Sequence, residues 1–303
     1  MPHDHHNHNH HDHHHHSDVK NIKVAFLLNL FFTIVEIVGG FLTNSIAILS
    51  DAIHDLGDCL SLGLAWYFQK VAKKGSDTSY SYGYKRFSLL GAVINSIVLV
   101  TGSILILSAA IPRIFNPVAA NAEGMFLLAT LGVLVNGAAV LRLKKGNSIN
   151  EKVVSLHLLE DVLGWLAILI GSVVMHFFDV PVLDPIMSVG IACFILFNVF
   201  KNIRQSLRII LQGIPEEVDI TSVSEHLQQF EGVDNVHDLH VWSVDGNYNV
   251  LTVHVVLNNS LDMEKLAELK AQIRDSLQEK GIQHATIEFE TIDERCSFEK
   301  CCE

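Results

Sequence analysis

The chain has 303 residues and a net charge of −12, with 49% hydrophobic side chains, 18% charged side chains and a mean hydropathy of +0.32. Soluble domains of this size seldom carry so few charges, so the composition argues against an ordinary globular protein and predicts an integral membrane protein. The acidic balance argues against a nucleic-acid partner, because the nucleic-acid backbone is itself an anion.

The first segment, residues 1–18, contains 10 of the 18 histidines of the chain. Such a polar tract has too few apolar residues to bury a core, so we predict a disordered tail that binds metal weakly and reversibly. An expression tag is the alternative interpretation. The irregular interruptions by Asp4, Asn7, Asn9 and Asp12 favour a native origin.

Six apolar stretches of about the ~20 residues needed to cross a bilayer come next. They cover residues 22–41, 47–68, 87–111, 124–143, 153–178 and 186–209, and predict a six-span transmembrane transport domain over residues 19–210. Basic residues concentrate in the loops after the second and fourth stretches and after the sixth, whereas the opposite loops carry only Arg113. The positive-inside rule therefore predicts that both termini are cytoplasmic.

The second and fifth stretches each contain the pattern His-x-x-x-Asp, as His54 with Asp58 and as His157 with Asp161. Residues four apart lie on the same face of a helix, so each helix presents one imidazole and one carboxylate to a common point. Two nitrogens and two oxygens are a ligand set that tetrahedral zinc accepts. Because ionisable groups are costly inside a membrane, the repeated pattern favours a metal site over isolated structural hydrogen bonds.

The charges of this quartet predict its chemistry. Two carboxylates offset the charge of a divalent ion, so the filled site is nearly neutral. A histidine with a reference pKa of ~6.5 releases its proton to accept a metal and regains one after delivering it. A site that holds metal or protons in turn, exposed alternately to each side, is the minimal chemistry of an exchange transporter.

Other polar groups in the spans are weaker candidates. Asp51 precedes His54 by one helical turn and Asn29 lies on the first span, so both are candidates for lining an ion pathway. Hydrogen bonding to a neighbouring helix is the interpretation we favour for each. Asp55 and Glu160 are adjacent to the predicted ligands but rotated about 100° from the ligand face.

After residue 210 the apolar runs shorten and the chain becomes acidic, with 6 Lys and Arg against 19 Asp and Glu from residue 211 to the end. Local patterns predict a helix over 219–230, strands over 236–243 and 250–257, a helix over 262–279 and a strand over 285–290. Histidines and carboxylates on these strands are candidates for a second metal site, namely His237, His240, His254, Glu288 and Glu290. A half-buried polar residue is the alternative for each histidine.

The last segment, residues 296–303, contains Cys296, Cys301 and Cys302. Disulfides are not expected at a cytoplasmic end. The three thiols form a metal site or simply belong to a frayed terminus, and the sequence favours neither.

Four motifs together resemble the cation diffusion facilitators, especially their zinc-transporting branch of the bacterial zinc and cadmium efflux type. They are the run from Gly40 to Asp58, Tyr82-Gly-Tyr-Lys-Arg86, His157-Leu-Leu-Glu-Asp-Val-Leu-Gly164 and His237-Asp-Leu-His-Val-Trp-Ser243. The likeness extends from about residue 20 to about residue 290.

This resemblance implies an α-helical membrane protein with six transmembrane helices followed by a cytoplasmic α+β ferredoxin-like domain over residues 211–295, which binds regulatory metal and pairs two chains. It implies zinc export in exchange for protons, with a transport site made of His54, Asp58, His157 and Asp161. In the cytoplasmic domain it implies metal positions at His237, His254, Glu288 and Glu290. Cadmium and cobalt are further candidate substrates. The bacterial plasma membrane is the expected location.

One departure from the family is informative. Some members carry a second metal site with histidines in the loop between the second and third spans, whereas this loop has Asp77 and no histidine. We therefore expect that site to be absent.

Two other functions compete with transport. An intramembrane metalloenzyme needs a motif such as His-Glu-x-x-His and an open coordination position; the chain has no such motif, so we predict that it is not an enzyme. A membrane-bound metal sensor or scaffold that does not transport is the alternative that the sequence leaves open.

Overall fold

The computed structural model describes residues 15–143 and 149–292, with only the backbone described at residues 15–25, 28, 142–143 and 149–157. The first six elements are all helices: α1 (His15–Thr43), α2 (Ile46–Ala72), α3 (Phe87–Phe115), α4 (Ala122–Leu143), α5 (Ile149–Phe178) and α6 (Leu183–Ile210). The rest of the described chain contains α7 (Ile220–Leu227), β1 (Val233–Ser243), β2 (Asn249–Leu257), α8 (Met263–Glu279) and β3 (His284–Thr291).

Four of the described helical segments are long and apolar enough to cross a bilayer: Phe87–Phe115, Ala122–Leu141, Leu158–Phe178 and Leu183–Ile210. α1 contributes the shorter apolar segment Asn29–Thr43. α2 is 27 residues long and carries three carboxylates, Asp51, Asp55 and Asp58. The predicted fold class, a helical membrane domain followed by a small α+β domain, is confirmed.

Contacts define two units in the chain, Met1–Leu64 with Ile94–Phe200 and Ala65–Val93 with Lys201–Glu303. In the first unit, one apolar cluster joins α1, α2, α4 and α5 through Phe32, Ile48, Met125, Ala129, Trp165, Ile168 and Met175. The Trp165 side chain is fully buried, and its ring meets the ring of Phe32 edge-on with 5.6 Å between centroids. A separate cluster joins α2, α3 and α6 through Ile46, Ile106, Ala110 and Ala192.

The second unit contains the C-terminal domain, which is called the tail below. It forms a three-stranded sheet in the order β1-β2-β3, with β1 antiparallel and β3 parallel to β2. The observed elements of this unit after residue 210 start and end within three residues of the predicted ones, with the largest differences at the start of β1, Val233, and at the end of α7, Leu227. Asp219 and Asp262 cap α7 and α8 by accepting backbone hydrogen bonds from Thr221 and Lys265. Gly281, which follows α8, has the left-handed φ of +79° that favours glycine after a helix.

The two faces of this sheet have different compositions. Residues of a strand alternate between faces, and Leu251, Val253 and Val255 of β2 are buried in the core formed with Ile273 and Leu277 of α8. The intervening residue His254 therefore lies on the opposite face. It pairs in register with His237 of β1 and with Glu288 of β3. The strand period thus separates the apolar core from a row of polar side chains.

Close packing between α4 and α5 gives a stability prediction. A methyl group added at Gly132 would overlap the Trp165 ring, whereas one added at Gly137 has no neighbour within 4 Å among the described residues. We expect Gly132→Ala to destabilise the protein by about 1–3 kcal/mol, because overpacking a dense core forces side chains out of position. Gly137→Ala is the matched control and should be neutral or slightly stabilising, since alanine favours helices by about 1 kcal/mol over glycine.

Thermal unfolding in detergent checks this expectation. A lower midpoint for Gly132→Ala alone supports the packing of α4 on α5 described above. Equal midpoints for the two variants would contradict it.

Candidate metal centres

The first candidate centre lies between α2 and α5. His54, Asp58 and Asp161 each offer a ligand atom, and these three atoms all lie within 4.8 Å of one another. The Nε2 atom of His54 is 3.7 Å from Oδ2 of Asp58, one helical turn further along α2. Helix periodicity therefore places the α2 pair on one face, and tertiary packing adds the carboxylate of α5.

The fourth predicted ligand, His157, belongs to α5 one turn before Asp161. Its side chain lies outside the described residues. The backbone of α5 is helical through both positions, so the spacing that places His157 on the face of Asp161 is retained. The four-ligand set remains a prediction at this position.

The centre is buried but not sealed. Asp161 is 7% exposed, and the His54 and Asp58 side chains are 19% and 23% exposed. Carboxylates at such depth are costly unless a cation or protons offset their charge. Histidine and carboxylate ligands at this spacing suit a divalent transition metal such as zinc.

Three further carboxyl groups surround the predicted ligands in the same unit. Asp51 is 6% exposed, and its Oδ1 atom lies 3.6 Å from where a Cβ at Gly164 of α5 would be. Asp55 is 2% exposed, and Glu36 of α1 is fully buried beside it. Carboxyl groups this close repel one another when all are ionised, so a proton or a cation among them lowers the free energy.

Sequence reasoning missed that Glu36 lies beside Asp55. The rotation of Asp55 away from the face that meets α5 was a signal for this contact, because it directs the Asp55 carboxylate toward a different helix. Glu36 is an acid with two apolar residues on each side of it in α1. In contrast, Glu160 is exposed, which is consistent with its position off the ligand face.

Asn29, the other candidate for a pathway, has a structural partner. Its Nδ2 atom lies 3.5 Å from the Cys59 sulfur on α2, and its backbone oxygen accepts a hydrogen bond from the Thr33 hydroxyl. Thr33 also contacts the Cys59 sulfur at 3.8 Å. This contact between α1 and α2 supports the packing interpretation that the sequence favoured for Asn29.

The second candidate centre lies on the polar face of the tail sheet. His237, His254 and Glu290 offer ligand atoms that lie within 4.8 Å of one another. One Glu290 oxygen is 2.9 Å from His237 Nε2, and the other is 2.6 Å from His254 Nδ1. The Glu290 side chain is only 7% exposed, so its carboxylate lies between two imidazoles with little access to water.

The remaining predicted tail residues adjoin this group less directly. Glu288 Oε2 is 3.5 Å from His254 Nε2, but the Glu288 side chain is 67% exposed. His240 Nε2 is 2.9 Å from Asp238 Oδ1, and the other Asp238 oxygen is 3.4 Å from His254 Nε2. Asp238 therefore links His240 to His254.

Asp238 is a residue of this centre that sequence reasoning missed. It lies where the pairing of β1 with β2 shifts between His237 and His240, and its φ of +49° is left-handed. A bulge of this kind redirects a side chain out of the normal strand alternation. The visible signal was the His-Asp-x-His spacing, in which a regular strand would place Asp238 on the face of His240 and away from His237.

The loop between α2 and α3 uses its carboxylate for folding. Asp77 accepts hydrogen bonds from the Tyr84 hydroxyl at 2.7 Å and from the backbone amides of Ser79 and Tyr80 at 2.8 and 2.9 Å. These bonds, that of Tyr84 foremost, hold the pKa of Asp77 below its ordinary value, and the same bond raises the pKa of Tyr84. The histidine-rich segment up to residue 14 and the thiols Cys296, Cys301 and Cys302 lie outside the described residues.

Comparisons with known proteins agree on one family. Residues 22–211 match the model of the cation efflux transmembrane domain, and residues 215–292 match that of the cation efflux protein cytoplasmic domain. A cadmium, cobalt and zinc/H(+)-K(+) antiporter of Bacillus subtilis is 33% identical over 276 residues, covering 90% of this chain and 89% of the relative. The metal cation efflux system protein CzcD of Cupriavidus metallidurans is 34% identical, covering 89% and 86%.

The zinc transporter ZitB of Yersinia pseudotuberculosis is 31% identical over 279 residues, covering 90% of this chain and 88% of the relative. Among solved structures, the metal-bound C-terminal domain of the CzcD transporter is 37% identical and covers 24% of this chain and 99% of that domain. Its TM-score of 0.21 supports no argument about the fold.

The contacts of Glu290 predict unequal roles for the two acids of β3. We expect Glu290→Gln to weaken zinc binding at the tail by about 10–100-fold, because the carboxylate that touches both histidines is lost. Glu288→Gln, whose side chain is mostly in water, should change the affinity only slightly.

Calorimetric titration with zinc measures both effects. The chain for this experiment lacks residues 2–16 and carries Asp161→Asn, so that the tail dominates the signal. Equal affinities for the two variants would contradict the assignment of Glu290 as the central ligand.

Proposed function

The chain belongs to the cation efflux family of membrane transporters, the cation diffusion facilitators, and we propose that it exports zinc from the cytoplasm in exchange for protons. One observation carries the proposal: His54 and Asp58 of α2 and Asp161 of α5 bring their ligand atoms within 4.8 Å inside a helical membrane domain. His157, one turn before Asp161, completes the set.

The charges of the ligands explain why metal and protons exchange. An ion bound to two carboxylates and two neutral imidazoles leaves the site nearly neutral, which a low-dielectric interior tolerates. When the ion leaves, protons replace its charge. Because imidazole must lose its proton to bind metal, zinc and protons compete for the same atoms. The carboxyl groups of Glu36, Asp51 and Asp55 add further positions where a proton reduces repulsion.

Transport requires that this site opens to each side of the membrane in turn. Rigid-body movement of helix groups around a site near the bilayer midplane is the usual solution in secondary transporters. The two ligand pairs belong to different helices, so a movement of α2 relative to α5 changes the ligand geometry directly. Such a movement couples release of the ion to a change of access.

Zinc is the metal that fits this ligand set best. Two imidazoles with two carboxylates suit a tetrahedral ion of intermediate softness, and cadmium or cobalt binds the same ligands. Relatives named for cadmium, cobalt and zinc, and for zinc alone, are consistent with this range. The proposed location is the plasma membrane of a bacterial cell, with both termini in the cytoplasm by the positive-inside rule.

For the tail we propose regulatory metal binding and pairing of two chains. The cluster of His237, His254 and Glu290 occupies the sheet face opposite the apolar core. The match to the cytoplasmic domain of cation efflux proteins supports a homodimer formed through this domain. A metal sensor without transport would use the same cluster, so the transport assay below also decides between these functions.

The first test compares two neighbouring acids of α5. We expect Asp161→Asn to lower proton-driven zinc uptake into inverted vesicles by about tenfold or more, because the ligand set loses a negative charge. Glu160→Gln removes the same charge from an exposed neighbour and should leave uptake within about twofold.

Unchanged uptake in Asp161→Asn would show that the transport site was wrongly assigned. A wild-type chain that does not transport zinc, yet binds it at the tail, would favour the sensor function.

The second test measures the protons released on binding. In a chain lacking residues 2–16 and carrying Glu290→Gln, we expect zinc binding to release protons, because the ligands must lose their protons to bind the metal. The zinc affinity should therefore fall as the pH is lowered. Calorimetry in two buffers of different ionisation enthalpy measures the number of protons. An affinity that does not depend on pH would contradict shared use of the site by metal and protons.

A further inference from the structure

A buried carboxylate on α6 holds the beginning of α2. Asp184, the second residue of α6, is 1% exposed. Its Oδ1 atom accepts a hydrogen bond from the Ser45 hydroxyl at 2.5 Å and one from the Ala47 amide at 3.2 Å. Its Oδ2 atom accepts a hydrogen bond from the Ile46 amide at 2.9 Å. Both carboxylate oxygens of Asp184 therefore accept hydrogen bonds from the start of α2.

Through these hydrogen bonds, a side chain of α6 caps the N-terminus of α2. The first amides of a helix have no partner within it, and they carry partial positive charge that attracts an anion. Ser45 serves as the local cap, since its hydroxyl oxygen accepts from the Ile48 amide at 3.2 Å while its proton goes to Asp184. The Ser188 hydroxyl adds a contact from α6 to the Ile46 carbonyl at 3.4 Å.

The turn before α2 is fixed as well. Asn44 has a left-handed φ of +55°, and the Arg113 guanidinium donates to its backbone oxygen at 3.0 Å and to its side-chain oxygen at 3.1 Å. The Thr43 carbonyl accepts from the Asn121 amide at 2.8 Å. Because the turn and the first amides of α2 are all bonded, the start of this helix has little freedom to shift alone.

Asp184 is too far from the predicted ion to bind it. His54 lies eight residues after Ile46 in α2, and a helix rises 1.5 Å per residue, so the two ends of this segment are about 12 Å apart. The hydrogen bonds of Asp184 therefore act on the transport site only through the position of α2.

We propose that Asp184 is a positioning residue for transport, which fastens the start of α2 to α6 and so holds His54 and Asp58 where their ligand atoms meet that of Asp161. This inference rests on the proposed function. Charge-assisted hydrogen bonds away from water are strong, and removal of one partner leaves the others buried without a bond.

The first variant removes the charge without changing the size of the side chain. Asp184→Asn keeps one acceptor oxygen but turns an amide NH₂ toward amides that also donate. We expect zinc uptake to fall by about tenfold or more, because small displacements of ligands are costly to a reaction. Asp179→Asn is the matched control: it removes the same charge from an exposed residue of the loop before α6, whose φ of +48° asparagine readily adopts. Its uptake should stay within about twofold of wild type.

A second variant distinguishes positioning from a need for the carboxylate itself. Ser45→Cys with Asp184→Cys, in a chain whose native cysteines are replaced by serine, exchanges the hydrogen bonds for a covalent link. We expect oxidation, or a short thiol-specific cross-linker, to restore at least about half of the uptake of the cysteine-free chain, and reduction of the link to abolish it again.

Three results would overturn the proposal: full uptake in Asp184→Asn, a cross-linked pair that stays inactive, or failure of the two thiols to cross-link at all. The second result would show that the negative charge has a direct role. Absence of uptake by the wild-type chain in the same vesicles would instead refute the proposed function, so the two failures are separable.

Discussion

The cost of placing carboxylates inside a helical membrane domain governs this structure. Asp58 and Asp161, with Glu36, Asp51 and Asp55 around them, concentrate negative charge where water is scarce. Such a group of acids is tolerable only with bound cations or protons. In the proposed exchange, the same repulsion that makes the empty site unfavourable drives it to take up metal from one side and protons from the other. Stability and transport depend on one electrostatic balance.

The tail also places ionisable side chains next to an apolar core, and it does so with a β-sheet. Strand alternation places apolar side chains of β2 against α8 and leaves His254 on the other face, beside His237 and Glu290. Metal ligands can therefore be gathered without weakening the core that holds the strands in register. The bulge at Asp238 modifies this rule locally and adds a carboxylate that a regular strand would have directed elsewhere.

Polar groups at the start of α2 have a different purpose from those in its middle. Asp184 and Ser45 form hydrogen bonds with each other and with backbone amides of α2. These bonds join α2 to α6. The carboxylates of the candidate metal centre, in contrast, lie close to one another, which favours a bound cation. One helix thus combines a start that is held by hydrogen bonds with a middle that carries the candidate metal ligands.

The sequence by itself determined the helical membrane domain, the α+β tail and the pairing of ligands along each helix or strand. These features follow from local periods, which fix the face of His54 and Asp58 or the face of His254 without knowledge of the rest of the chain. The start of β1 was less accurate, because sheet pairing extended it beyond its alternating run.

Only the tertiary structure decided which faces meet. The contact of Asp161 with the α2 pair, the placement of Glu36 beside Asp55 and the capping of α2 by Asp184 join residues far apart in sequence. Asp238 depended on a bulge in the pairing of two strands. Such contacts result from packing between elements, and packing energies depend on the shapes of both partners, which no single segment encodes.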